Sequence, residues 1–111
     1  VNWFRKDKKG KFMWPGFGDN MRVIEWIVRR TYSKVGAKET VFGWMPNYKD
    51  MTWRGLQMSE KQFDDLMSVD NKLALQEVNS QGEYFEQFLD GNRLPSDMDA
   101  ELVLLANRLG R

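Results

Sequence analysis

Apolar positions along the 111-residue chain change period at about residue 19. Val1–Phe4 and Lys11–Trp14 are short apolar, aromatic stretches of strand character on either side of the turn-like Lys8, Lys9 and Gly10, which predicts a hairpin or extended pair at the front. Trp14 to Gly18 then reads as a loop. Pro15 fixes φ and lacks a donor, while Gly16 and Gly18 permit positive φ or close approach of a ligand. Beyond it, Asp19 or Asn20 can cap a helix whose apolar residues Val23, Ile24, Ile27 and Val28 recur at helical spacing, with Arg29 and Arg30 suited to its C-terminal end.

Residues 31–58 show no sustained period, and only Thr40–Pro46 and Trp53–Met58 look extended. Ser59, Glu60, Lys61 and Gln62 form a capping-box pattern ahead of Phe63, Leu66 and Met67, so a short helix is expected there. Asp70 can cap a longer helix through Leu89, with Ala74, Val78, Phe85 and Phe88 on one stripe, Gly82 as a weak point and Asp90, Gly91 and Asn92 as the stop. Ser96 then caps a last helix, its acidic first turn followed by Met98, Leu102, Leu105 and Leu109 at steps of four, three and four. The expected class is α+β, mostly α: three to four helices with a small irregular β-hairpin portion at the N-terminus, no internal repeat, and one domain over residues 1–111.

Composition narrows the chemistry. With no cysteine and no histidine, a disulfide or thiolate-metal framework and His-dependent catalysis are both excluded. The longest apolar run, Leu102–Ala106, falls far short of the ~20 residues of a membrane span, so the chain reads as soluble. It starts at Val1 rather than Met, from which a piece of something longer is expected, with aromatic surface left bare. The net charge of +1 hides a division: residues 1–40 carry ten Lys/Arg against four Asp/Glu, the remainder seven against twelve. An anionic partner would be drawn to the basic first third, although a charge run alone more often marks a solvated loop.

That basic third is also aromatic. Trp3, Phe4, Phe12, Trp14 and Phe17 are interleaved with Arg5, Lys6, Lys8, Lys9 and Lys11 and with two glycine hinges. Flat rings stack on a base for roughly 1–3 kcal/mol each, and an Asn or backbone amide beside the stack can read the base edge. Aromatic residues also dominate cores, so composition alone favours packing under a hairpin over a base clamp. The acid pairs Asp64/Asp65 and Asp97/Asp99 read as solvated helix faces and starts rather than metal ligands or paired catalytic carboxylates.

The stretches Asn2–Lys6 and Phe12–Val23 closely resemble the Asn-Trp-Phe-Arg-Lys and Phe-x-Trp-Pro-Gly-Phe-Gly-(acid)-Asn-x-Arg-Val motifs of the C-terminal portion of GTP-dependent phosphoenolpyruvate carboxykinases. The resemblance continues through Glu39–Pro46, where Val41 replaces a family proline, through Gly55 and Leu56, and through Arg93–Pro95 to the helix around Glu101. It is loose between Lys49 and Asn92. It implies a C-terminal piece of the nucleotide-binding domain of a cytoplasmic, monomeric enzyme of gluconeogenesis, which turns oxaloacetate and GTP into phosphoenolpyruvate, CO2 and GDP. Residues 1–20 would form the guanine-binding motif and 21–111 a helical remainder.

The same resemblance implies site roles: guanine held between Phe4, Phe12 and Phe17, Asn20 at the base edge, and Trp14 as a buttress. Asn20 can donate its NH2 to guanine O6, whereas adenine puts a second donor there; its position equally permits a plain helix N-cap. Mn2+ or Mg2+ would act in the parent enzyme with ligands outside this chain, and no Gly-x-x-x-x-Gly-Lys-Ser/Thr phosphate loop occurs here. The expected partners are thus GTP or GDP and the remainder of the parent enzyme, with no membrane or nucleic acid, and the piece alone should be inactive. Two other classes stand beside this one: a stand-alone aromatic, basic module stacking single-stranded nucleic acid, and a helical interaction domain whose rings are all internal.

Overall fold

The structure, a computed structural model, describes residues 2–110. The chain forms two compact units, Val1–Ser68 and Val69–Arg111. The first holds α1 (Asn20–Thr31), an antiparallel pair β1 (Lys38–Thr40) and β2 (Gly43–Met45), and α2 (Glu60–Met67); the second holds α3 (Asn71–Glu86) and α4 (Ser96–Leu109). The mostly helical α+β class is therefore what the sequence predicts.

The regular strand pair lies elsewhere than expected. At the front, Trp3 and Phe4 occupy a turn in which Phe4 N–H donates to Asn2 Oδ1 at 3.0 Å, and pairing is shifted to a single Lys6–Phe12 bridge. Val1, the first residue of the predicted strand, lies outside the described residues. The shift follows from Asp7, whose Oδ1 accepts from the backbone of Lys9 and Lys11 at 2.9 and 3.0 Å and folds the chain back early. Thr40–Pro46 is likewise not one extended segment: β1 turns at Val41 and Phe42 into β2, with Lys38 opposite Met45 and Thr40 opposite Gly43. Trp53–Met58 contains no strand, because Gly55 at φ 84° makes a turn there.

The first unit's core is aromatic and sulfur-rich: Trp14, Trp26, Met51, Met58 and Phe63 are buried together. Trp53 joins them, stacked on Tyr48 at 5.1 Å and edge-on to Phe63 at 5.4 Å. Trp26 decides which face of α1 turns inward. Its indole donates to Gly36 O at 3.1 Å, and Ile24, Ile27 and Val28, three of the four apolar residues at helical spacing, are exposed along with Met21. The helix is apolar on two sides, so helical spacing has two solutions, and the larger aromatic area takes the buried one. Only Val23 of the predicted stripe packs against the core.

Helix ends follow local chemistry more closely. Ser59 Oγ accepts from Gln62 N at 3.1 Å and Gln62 Oε1 from Ser59 N at 2.9 Å, the reciprocal cap expected for α2. Asp70 Oδ1 accepts from Lys72 N and Leu73 N and starts α3, which stops at Glu86, ahead of the predicted Leu89. Phe88 is consequently exposed beyond the helix. At α4 the N-cap is Pro95 and not Ser96; Pro95 O accepts from Met98 N and Asp99 N. Val78 and Leu109 are the buried residues of the second unit, and Met98 of the predicted α4 stripe is exposed. Among the described residues, no helix is long and apolar enough to cross a membrane.

Candidate functional site

Arg5 anchors the front loop. Its guanidinium donates to Leu66 O at 2.8 Å and to Ser68 O and Oγ at 2.5 and 3.2 Å, satisfying carbonyls left over at the C-terminal end of α2. Sequence reading missed this role. Arg5 looked like one more cation of a basic run, and only the return of α2 to the front loop reveals it.

With the loop fixed, Phe4 and Phe12 meet across it, ring centroids 6.1 Å apart and planes tilted by 60°. Lys6 Nζ lies 5.1 Å from the Phe12 centroid in a cation–π contact. Both rings are exposed, and Phe17 more so, at 94%. These three are therefore not the core residues that composition favours. Phe17 follows Gly16, at φ 74°, and itself has φ 52°. For a side-chain-bearing residue that left-handed conformation costs on the order of 1–3 kcal/mol. It holds the ring outward at the start of the 3₁₀ turn Phe17–Asp19 that runs straight into α1. The structure pairs Phe4 with Phe12 directly; among the described residues Phe17 forms no ring pair with either.

Behind the loop lie Trp14 and Asn20. Trp14 is buried, 6% exposed, and its indole Nε1–H donates to Asn20 Oδ1 at 2.8 Å. Asn20 is not an N-cap. It is the first residue of α1, while Asp19 occupies the cap position without capping, its carboxylate accepting from Arg22 Nε at 2.8 Å. Arg22 also donates to Thr52 O at 2.9 Å, tying the helix start to the loop below it. Because indole only donates, the Asn20 carbonyl must be the atom facing Trp14, and its NH2 is left to other partners. Turning the amide over would oppose two donors and strand a buried N–H, at a cost of about 1–3 kcal/mol.

One carboxylate nearby in sequence to the core has a displaced titration. Burial pushes the Asp50 carboxyl up, but hydrogen bonds from the Asn47 side chain and backbone, the Lys49 charge and the Gly36 backbone outweigh it, leaving Asp50 below its ordinary value. Asp50 is structural: its Oδ2 accepts from Asn47 N and Nδ2 at 2.9 and 2.8 Å. Among the described residues no three His, Cys, Asp or Glu are grouped to hold a metal ion. Asp64, Asp65, Asp97 and Asp99 are all exposed on α2 and α4.

The first unit thus carries three exposed rings, Phe4, Phe12 and Phe17, on a glycine-hinged loop, and a carboxamide, Asn20, whose polarity the Trp14 indole fixes. Residues 1–108 match the family of the phosphoenolpyruvate carboxykinase C-terminal P-loop domain. Among similar proteins, the phosphoenolpyruvate carboxykinase [GTP] of Chlamydia caviae is 46% identical over 110 residues, and that of Neocallimastix frontalis 43% over 110. That of Anaeromyxobacter dehalogenans is 39% identical over 109 residues. Each match covers 98% of this chain and 18% of the relative, so the chain spans about a fifth of the length of these proteins. The chain belongs to the GTP-dependent phosphoenolpyruvate carboxykinase family, matching its C-terminal P-loop domain. Nothing in these matches supports a stand-alone nucleic-acid-binding module.

Proposed function

We propose that this chain supplies the guanine-binding wall of a GTP-dependent phosphoenolpyruvate carboxykinase. The reaction of the whole enzyme, oxaloacetate and GTP to phosphoenolpyruvate, CO2 and GDP, belongs to gluconeogenesis in the cytoplasm, with a monomeric enzyme and Mn2+ or Mg2+ at the phosphates. Among the described residues no three His, Cys, Asp or Glu are grouped to hold that metal. The part proposed for this chain is binding and orientation: the base rests against the Phe4/Phe12 pair and Phe17, and Asn20 donates its NH2 to guanine O6. Residues 1–20 carry that motif, and α1 and α2 of the same unit hold it through Asn20 and through the Arg5 contacts to Leu66 and Ser68.

The observation that carries the reading is the 94% exposure of Phe17, a large ring held outward on a strained backbone inside a chain of this family. The test is a nuclear magnetic resonance titration of the chain with GTP, ATP and a short oligonucleotide. GTP is expected to move the signals of Phe4, Phe12, Phe17 and Asn20 at concentrations where ATP does not. Equal responses to all three, or responses away from these residues, would overturn the reading.

A further inference from the structure

We infer that Trp14 is a positioning residue that sets the purine preference of this site, by holding Asn20 Oδ1 so that only the Asn20 NH2 faces the base. The inference rests on the guanine reading above and adds what fixes the direction of the base-edge hydrogen bond.

An asparagine alone has no such preference. Its carboxamide offers a donor on one limb and an acceptor on the other, and rotation by half a turn exchanges them. A free Asn at the base edge would accept from adenine N6 as readily as it donates to guanine O6. Here the exchange is blocked from behind. The Trp14 indole is a donor with no acceptor, it is buried, and it sits 2.8 Å from Asn20 Oδ1. The indole is itself held in place. It packs edge-on against Trp53 at 6.3 Å, Trp53 stacks on Tyr48, and Trp53 Nε1–H donates to Tyr48 O at 2.8 Å. Tyr48 in turn donates its hydroxyl to Met58 O at 2.6 Å. The other end of the pair is equally constrained, because Asn20 is the first residue of α1 and its backbone is fixed by the helix. A line of aromatic side chains thus converts core packing into the polarity of one surface amide. Trp14 touches no ligand in this scheme. It acts on the base only through Asn20.

Replacing the indole by a ring without a donor separates this role from plain packing. In Trp14→Phe the ring stays and the hydrogen bond goes, so the amide is free to present either limb. We expect the ratio of AMP to GMP dissociation constants, measured by titrating the chain at millimolar nucleotide, to fall about tenfold, the equivalent of one hydrogen bond's preference. IMP, which keeps the oxygen at position six, should follow GMP in both proteins. A structural role alone would weaken GMP and AMP together and leave their ratio unchanged, and that result overturns the inference while leaving the guanine reading intact. An unsubstituted chain that does not prefer GMP to AMP overturns the guanine reading itself, and this inference with it.

If Trp14→Phe does not fold, the unsubstituted chain still decides the matter. The Trp14 indole Nε1–H should exchange with solvent much more slowly than that of an exposed indole, and exchange at the free rate overturns the proposal. Asn20→Asp gives a second readout. Trp14 would hold one carboxylate oxygen and the other would face the base as an acceptor, reversing the preference towards AMP; retention of GMP preference in this variant also overturns the proposal.

Discussion

At Phe17 an unfavourable backbone and an unburied ring coincide, so stability gives no account of its presence. The residue sits at φ 52° and is 94% exposed. Phe17→Gly removes the steric penalty of the left-handed region and should leave stability unchanged or raise it by up to about 1 kcal/mol, read from urea unfolding. Phe17→Ala should change stability by less than about 0.5 kcal/mol, in contrast to the 3–5 kcal/mol typical when a core Phe is truncated. Both variants should lose the GTP-specific response. A loss of several kcal/mol in Phe17→Ala would mean that the ring is internal and would remove the basis of the site. The sequence exposed the candidates here but not their arrangement. Phe4, Phe12, Phe17 and Asn20 stand out as rings and an amide around glycine hinges, yet Asn20 read equally well as a cap. What removes that alternative is Asp19 in the cap position, while the Asn20 carbonyl is taken by the Trp14 indole, a contact across the Pro15–Gly18 bend that no spacing rule reports.

Elements were legible where a helix begins with a side chain bonding its own backbone, and obscure where a choice of face or partner is tertiary. Ser59 and Gln62 cap α2 as their spacing predicts, because both hydrogen bonds are made within four residues. Ser59→Ala should therefore cost about 1 kcal/mol, measured by thermal or urea unfolding. The buried face of α1 does not follow from the Val23, Ile24, Ile27, Val28 spacing, because Trp26 and its bond to Gly36 O lie outside that stripe. Ile27→Lys should accordingly cost less than about 0.5 kcal/mol in this chain. The 3₁₀ turn Tyr48–Asp50 adds a pH dependence. Asp50 titrates below the ordinary carboxylate range despite burial, which acts the other way, because its anion accepts from Asn47 and faces Lys49. A carboxyl depressed in the folded state stabilises at pH above its unfolded value, and the contribution fades as pH falls through the folded value. Unfolding followed from pH 6 to pH 2.5 should lose part of its acid dependence in Asp50→Asn. An unchanged profile would place the acid sensitivity elsewhere.

For the molecule as a whole, what the site lacks predicts as much as what it has. Stacking contributes roughly 1–3 kcal/mol per base and one amide hydrogen bond about 0.5–1.5 kcal/mol. Association itself costs at least about 4 kcal/mol of lost freedom, so base contacts alone support only weak binding. The stronger anchors of a nucleoside triphosphate are a phosphate-cradling loop and a metal. These 111 residues contain no Gly-x-x-x-x-Gly-Lys-Ser/Thr string, and among the described residues no metal-ligand group. The remaining attraction for phosphates is the exposed lysines 6, 8, 9 and 11, whose charges are screened within about 8 Å at physiological salt. The chain should therefore bind GTP with a Kd well above 10 μM, and GTP should exceed GMP only modestly, by a margin that shrinks as salt is raised. Calorimetric or resonance titrations of GTP and GMP at 20 and 300 mM salt would measure both quantities. Sub-micromolar GTP binding, or a large salt-independent advantage of GTP over GMP, would require a phosphate cradle built from this chain's own backbone and would contradict a role confined to the base.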